Sequence, residues 1–242
     1  MNSIIKNILI ILCPVLILSS CAIPGNIGSD KIKIEYIQSD LSNDRLDINV
    51  QIPVFKNIEN KEFENRLNEY FFNDIQNNAN EFTKIAGEFS SDIPEGKKAS
   101  LKITCTDRYN ENNFLSMITT IETYTGGVHG TVIDVSSNID TAENKIITLS
   151  DLFNDNCDYK KVLTKMLHTL AAENTALYGE LWEKPTVTDD TDRSFYIKDE
   201  CLVIYFQPYE LASYGRGFVD FSIPLSSLKP YLKEEYYRLF ED

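Results

Sequence analysis

Apolar and polar positions alternate along the first part of the chain. Ile32, Ile34 and Tyr36 alternate with Lys31, Lys33 and Glu35, and Leu46, Ile48, Val50, Ile52 and Val54 alternate with Asp47, Asn49, Gln51 and Pro53. A period of two with one wet face predicts two half-buried strands, and Ser42, Asn43 and Asp44 supply turn chemistry between them. Pro53 has no N–H for a ladder, so it marks a strand edge or end. The period then changes. Asn60 stands as an N-cap before Phe63, Leu67, Phe71, Ile75, Ala79, Phe82 and Ala86, a stripe that predicts a long amphipathic helix. Asn68, Asn73, Gln76, Asn77 and Asn80 are expected on its solvent side, and Gly87, Pro94 and Gly96 end it.

Residues 99–109, 114–124 and 131–139 are rich in β-branched and aromatic side chains and read as three consecutive strands. Residues 109–113 turn the first into the second. Gly126 and Gly127 join the second to the third, which predicts a hairpin with a tight primed turn. Residues 146–153 extend the meander. A second helix begins at Asp158, with Tyr159, Val162, Leu163, Met166, Leu167, Leu170 and Leu177 as its apolar stripe and Gly179 as its stop. His168 is expected at its surface and Trp182, just beyond, in the core. Residues 194–198 and 201–207 read as a hairpin over Asp199 and Glu200. Residues 208–217 loop out, 218–223 return as a strand that Pro224 stops, and 225–240 read as a closing amphipathic helix. The whole predicts an α+β fold of antiparallel sheets with helices packed on one side, in two intimately associated modules, residues 31–145 and 146–242.

The first thirty residues add an address. Lys6, then an apolar run from residue 8 to 18, then Ser19, Ser20 and Cys21 have the layout of a signal peptide, with an apolar core too short to span a bilayer. The small residues before Cys21 resemble a lipobox. That resemblance implies cleavage after residue 20, a lipid on the Cys21 sulfur, a tether over residues 21–30, and an extracytoplasmic protein anchored to a bacterial membrane. Formal net charge is −14, and −15 once Lys6 leaves. Such a surface repels nucleic acid and attracts cationic partners. Cys105, Cys157 and Cys201 remain, spaced like no metal motif. Cys105 and Cys201 are expected as small core residues, and Cys157 stands at a helix start, a position where a thiol can become more acidic.

Candidate chemistry gathers at residues 122–130, ETYTGGVHG, which hold three glycines and one of the two histidines. His129 admits three roles: a turn residue bonded to neighbouring backbone or carboxylate, a ligand contact, or a general base paired with Glu122 or Asp134. Further on, Tyr205, Tyr209 and Tyr214 punctuate VIYFQPYELASYG at residues 203–215.

Taken in order, YTGGVHG at 124–130, LSDLF at 149–153, FY at 195–196, residues 203–215 and IPL at 223–225 resemble the ectodomain of the lysozyme-sensing anti-sigma factors of RsiV type. That ectodomain is a pair of domains of unknown function, which also precedes the catalytic domain of a peptidoglycan deacetylase. The resemblance runs from Lys31 to Leu232 and implies an envelope location and a binding role. Its ligand would be a cationic muramidase such as lysozyme, or cell-wall peptidoglycan. Candidate ligand-binding residues are Tyr124, Gly126, Gly127, His129, Tyr205, Tyr209 and Tyr214. Seven residues precede the apolar run, and the histidines are 39 residues apart. Neither a sigma-binding segment nor the deacetylase's triad of an aspartate and two histidines is therefore expected. No cofactor, metal or nucleic acid is anticipated. The alternative is an enzyme that modifies wall polysaccharide through His129.

Overall fold

A computed structural model describes residues 31–89, 93–188 and 194–239. The expected signal peptide, Cys21 and the expected tether lie outside the described residues. Two strands, β1 (Lys33–Asp40) and β2 (Leu46–Lys56), pair antiparallel and lead into α1 (Lys61–Glu88). The Asn60 side chain accepts the Phe63 N–H, as an N-cap should, and the seven stripe residues from Phe63 to Ala86 are all buried. Asn68 departs from expectation. Its side chain bonds both the N–H and the carbonyl of Phe55, tying the helix to the end of β2.

The helix carries the chain back before β3 (Ala99–Glu111) begins, so β2 and β3 run parallel. That pair corrects the expectation of wholly antiparallel sheets, because a crossover helix returns the chain to the end where the previous strand started. Pro53 lies beyond Val50, the last residue of β2 paired with β3. β4 (Phe114–Tyr124), β5 (Thr131–Asp140) and β6 (Lys145–Ile147) complete a six-stranded sheet in sequence order, so β6, which begins at residue 145, belongs to the first sheet. Asn112 and Asn113, with φ of 52° and 58°, make the two-residue turn between β3 and β4. Positive φ at both central positions is the primed geometry. Residues 125–130 instead form a six-residue loop, which corrects the tight Gly-Gly turn.

The 3-10 turn Leu149–Leu152 follows, then α2 (Tyr159–Glu173), capped by the Asp158 carboxylate, and the single turn α3 (Thr175–Tyr178), which ends at Gly179. Of the expected stripe on α2 only Leu163 and Leu167 are buried, and Leu177 is exposed. β7 (Phe195–Lys198), β8 (Cys201–Phe206) and β9 (Val219–Pro224) make a second, antiparallel sheet, with Asp199 and Glu200 turning at φ 48° and 56°. The long closing helix does not form. Pro230 lacks the N–H that helix interior requires and disfavours α geometry at Lys229, so α4 (Leu225–Leu228) is one turn. A bridge from Leu232 to Phe153 and the 3-10 segment Glu234–Leu239 take its place.

The second sheet docks on the face of the first that α1 leaves open, and β4 is buried on both faces from Phe114 to Thr119. Buried polar side chains join the sheets. Ser116 Oγ donates to Asn138 Oδ1 and accepts the Ile197 N–H, while Asn138 Nδ2 donates to the Phe195 carbonyl at 2.9 Å. These side chains stand in for a strand partner and satisfy β7 backbone that would otherwise be buried unpaired.

Candidate functional site

β4 and β5 project the loop of residues 125–130 from one end of the sheet, opposite to the Asn112–Asn113 turn. Two glycines shape it for different reasons. Gly127 has φ of 88°, which side chains rarely adopt, and a Cβ on Gly130 would lie 2.4 Å from the Thr123 carbonyl oxygen. The Tyr124 hydroxyl donates to the Gly127 carbonyl at 3.2 Å. Val128, at the tip, is 101% exposed.

His129 Nδ1 lies 2.7 Å from the Gly130 carbonyl. A carbonyl only accepts, so Nδ1 carries the proton and Nε2 alone remains to accept one. The ring stacks on Tyr214 with centroids 4.3 Å apart and planes 15° from parallel, and Tyr209 leans on Tyr214 at 5.5 Å. Neither carboxylate considered for His129 pairs with it. Glu122 holds Lys102 at 2.9 Å, and Asp134 accepts the Thr120 hydroxyl at 2.6 Å.

Tyr214 sits in a 3-10 turn, Tyr214–Arg216, within the loop between β8 and β9. Gln207 fixes the base of that loop: its amide accepts the Asp134 N–H at 3.0 Å and donates to the Asp134 carbonyl at 2.6 Å, completing the free edge of β5. On the far side of the loop, Arg216 donates to the Leu177 carbonyl and the Trp182 N–H donates to the Leu211 carbonyl at 2.8 Å. Three separate segments of chain therefore meet at one end: the β4–β5 loop, the β8–β9 loop, and the stretch from α3 to Trp182.

Trp182 is 61% exposed, a correction of its expected core position. Its backbone runs over the surface, and Val187 takes the buried place instead. Tyr205 is also corrected. It belongs to β8, is 2% exposed, and donates to the Asp134 carbonyl between the sheets, where burial pushes its hydroxyl up to about 12. Tyr209 is 56% exposed. Of the seven candidate residues, then, the structure gathers Tyr124, Gly126, Gly127, His129, Tyr209 and Tyr214 at the loop end and places Tyr205 in the core. Val128 was missed, and Trp182 was read as a core residue rather than an exposed anchor. An apolar residue flanked by glycine-rich turn sequence was the available signal for Val128.

Beneath Tyr214 and Tyr124 lies a groove of about 480 Å³, walled also by Asp47, Asn49, Lys102 and Glu122. No group of three His, Cys, Asp or Glu side chains among the described residues is placed to hold a metal. Cys157 is half-buried, and burial together with the Asp158 carboxylate pushes its thiol up, so the helix start does not acidify it. Cys105 is buried, as expected, and Cys201 is half-buried at the start of β8. His168 is exposed on α2.

Comparison with known proteins matches two successive segments. Residues 39–132 match the family Deacetylase PdaC, and residues 150–226 match the Protein of unknown function DUF3298. The anti-sigma-V factor RsiV of Bacillus subtilis is 29% identical over 224 residues, covering 87% of this chain and 74% of that protein. The peptidoglycan-N-acetylmuramic acid deacetylase PdaC of the same organism is 27% identical over 116 residues, 47% of this chain but only 25% of the enzyme. A solved DUF3298 structure from Bacteroides fragilis superimposes with a TM-score of 0.70 at 17% identity, over 87% of this chain and 98% of that one. A second, from Pseudomonas aeruginosa, gives 0.62 at 14% identity, over 88% and 99%. The resemblance read from the order of motifs is borne out, as is the α+β fold. The ring stack has one member in each matched segment, His129 in the first and Tyr214 in the second.

Proposed function

Similarity to the PdaC family in its first half and to DUF3298 in its second is the premise from which we propose that this chain is a lipid-anchored extracytoplasmic binding protein. Its ligand is a cationic muramidase of the lysozyme kind, captured by the loop end of the molecule. One observation carries the reading: Val128, Tyr209 and Trp182 stand exposed around the His129–Tyr214 stack on three segments that converge. Protein capture concentrates its energy in a few apolar and aromatic anchors, and aromatic side chains held by backbone hydrogen bonds lose little entropy on binding. The −14 charge adds long-range attraction for a basic partner, which speeds encounter more than it tightens the complex. The likeness to RsiV, an anti-sigma factor, supports a sensing or binding role. The lipid rests on the signal layout before Cys21.

Retention of the protein by immobilised lysozyme at physiological salt tests the proposal. Wild type is expected to be held, and the Val128→Asp and Trp182→Ala variants to dissociate at least tenfold faster with unchanged thermal stability, since both side chains are exposed. Retention no greater than that of an equally acidic unrelated protein would sink it.

A second reading has its own observation. The groove beneath Tyr214 offers two tyrosine rings beside Asp47, Asn49 and Glu122, a combination of apolar faces and hydrogen-bonding groups that suits a sugar ring. Wild-type binding to purified peptidoglycan, lost in Tyr214→Ala while Val128→Asp retains it, would favour the glycan.

A further inference from the structure

α2 has an apolar stripe wider than the core it covers. Leu163 and Leu167 are buried, whereas Val162, Met166 and Leu170, beside them on the helix, stay half-exposed. They do not face open solvent on a convex surface. With Ile223, at the end of β9, and Tyr231, after α4, they line a groove of about 470 Å³. The groove has two other properties that set it apart on this molecule. It contains no carboxylate, although acidic residues outnumber basic ones by 37 to 23 in the chain, and the groove beneath Tyr214 holds both Asp47 and Glu122. It also carries two lysines, Lys161 and Lys165, one helical turn apart on its rim. Among the described residues neither has a carboxylate within ion-pair distance.

An apolar trough with two unneutralised ammonium groups at one side is complementary to a molecule that is itself apolar and anionic. We propose that this groove binds a single-chain anionic amphiphile, a long-chain carboxylate, independently of the loop end. The hydrocarbon lies along Val162, Met166, Leu170, Ile223 and Tyr231, and the headgroup is met by Lys161 and Lys165. Thr169 and Ser227 supply the remaining polar rim. The volume falls within the range of small-molecule sites, and burial of apolar area supplies the drive while the lysines set the polarity of the headgroup. The site lies on α2 and β9, away from the His129–Tyr214 stack, so lysozyme capture does not depend on it.

Calorimetric titration of the chain lacking residues 1–21, which keeps every described element, with octanoate, decanoate and dodecanoate below their micelle concentrations tests this. Affinity is expected to rise with chain length, by up to about fourfold per methylene, until the groove is filled. The double variant Lys161→Glu, Lys165→Glu should bind decanoate at least tenfold more weakly and bind decanol as wild type does. Both lysines are exposed in the first turns of α2, where acidic residues favour the helix, so the variant retains its fold. It should also be retained by lysozyme like wild type. Affinity indifferent to chain length, or equal decanoate binding by the charge-reversed variant, would overturn the proposal. So would binding of an acidic amphipathic peptide or of anionic phospholipid vesicles without binding of the monomeric carboxylates, which would give the groove to a protein or a bilayer.

Discussion

Burial between the two sheets pushes the Asp134 carboxyl above its ordinary value of 3.8, while the Thr120 hydroxyl and Arg108 oppose that rise and Asp220 adds to it. A carboxyl whose folded value is raised is destabilising wherever it is ionised in both states, and the penalty disappears as pH falls through the folded value to below the unfolded one. Asp134→Asn keeps an oxygen for the Thr120 hydroxyl and removes the charge. It should raise the melting temperature at pH 7, with the gain vanishing below about pH 4; denaturation scans across that range show it, and a loss at pH 7 would refute the assignment. Sequence alone placed Asp134 on a strand near His129 and so offered it as a catalytic partner. Side chains on adjacent strands share a neighbourhood, but which neighbour each one meets depends on register and on the second sheet. In the folded chain His129 spends its Nδ1 on the Gly130 carbonyl and its face on Tyr214.

At the scale of elements, the periodicities were legible wherever one face of an element meets one core. The stripe of α1 is buried residue for residue, and β4 spans the residues its composition indicates. The turns were less so. Both asparagines at 112 and 113 take the positive φ expected of the Gly126–Gly127 pair, because two-residue connections require it and the β4–β5 connection is longer. In that longer connection Gly126 and Gly127 still take positive φ, 114° and 88°, and Gly130 is required by its close approach to the Thr123 carbonyl. Gly130→Ala should therefore cost about 1–3 kcal/mol by chemical denaturation, and should abolish the ring-current shift that Tyr214 imposes on His129 protons. An unchanged His129 spectrum would show that the loop accommodates a Cβ. The C-terminal element failed to appear as a long helix for a reason present in the sequence, the proline at 230, which the apolar spacing around it concealed.

The whole molecule has a loop end and a latch end. At the latch, Arg238 from the final 3-10 segment reaches Asp140, which is wholly buried, and also donates to the Asn112 carbonyl at 3.2 Å; Asn112 returns a bond to the Arg238 carbonyl at 2.7 Å. Tyr236 packs edge-on against Phe114 beside it. This contact fastens the last described residues of the chain to the β3–β4 turn and the end of β5 in the six-stranded sheet. Removing one partner strands the other charge away from water. Arg238→Met should cost about 3 kcal/mol, the lower part of the range for such pairs, since Asp140 keeps the Ala142 and Glu143 N–H groups. β4 separates the latch from the loop end by its full length, so lysozyme retention by the folded variant should equal that of wild type. A variant of wild-type stability would mean that the latch contributes only geometry.

The sequence by itself determined the order of strands and long helices as far as β9, the one-sided burial of α1, the two-part likeness to RsiV and PdaC, and the acidity of the surface. Each is written locally, in spacing or composition, and survives any arrangement of the parts. Only the tertiary structure decided that the second sheet lies on the open face of the first and buries Ser116 and Asn138. It alone sent Tyr205 inward while leaving Trp182 and Val128 outside, brought His129 onto Tyr214, and left half the stripe of α2 to line a groove. Those outcomes depend on which surfaces meet across long stretches of chain, and a local pattern states that a face is apolar without stating what will cover it.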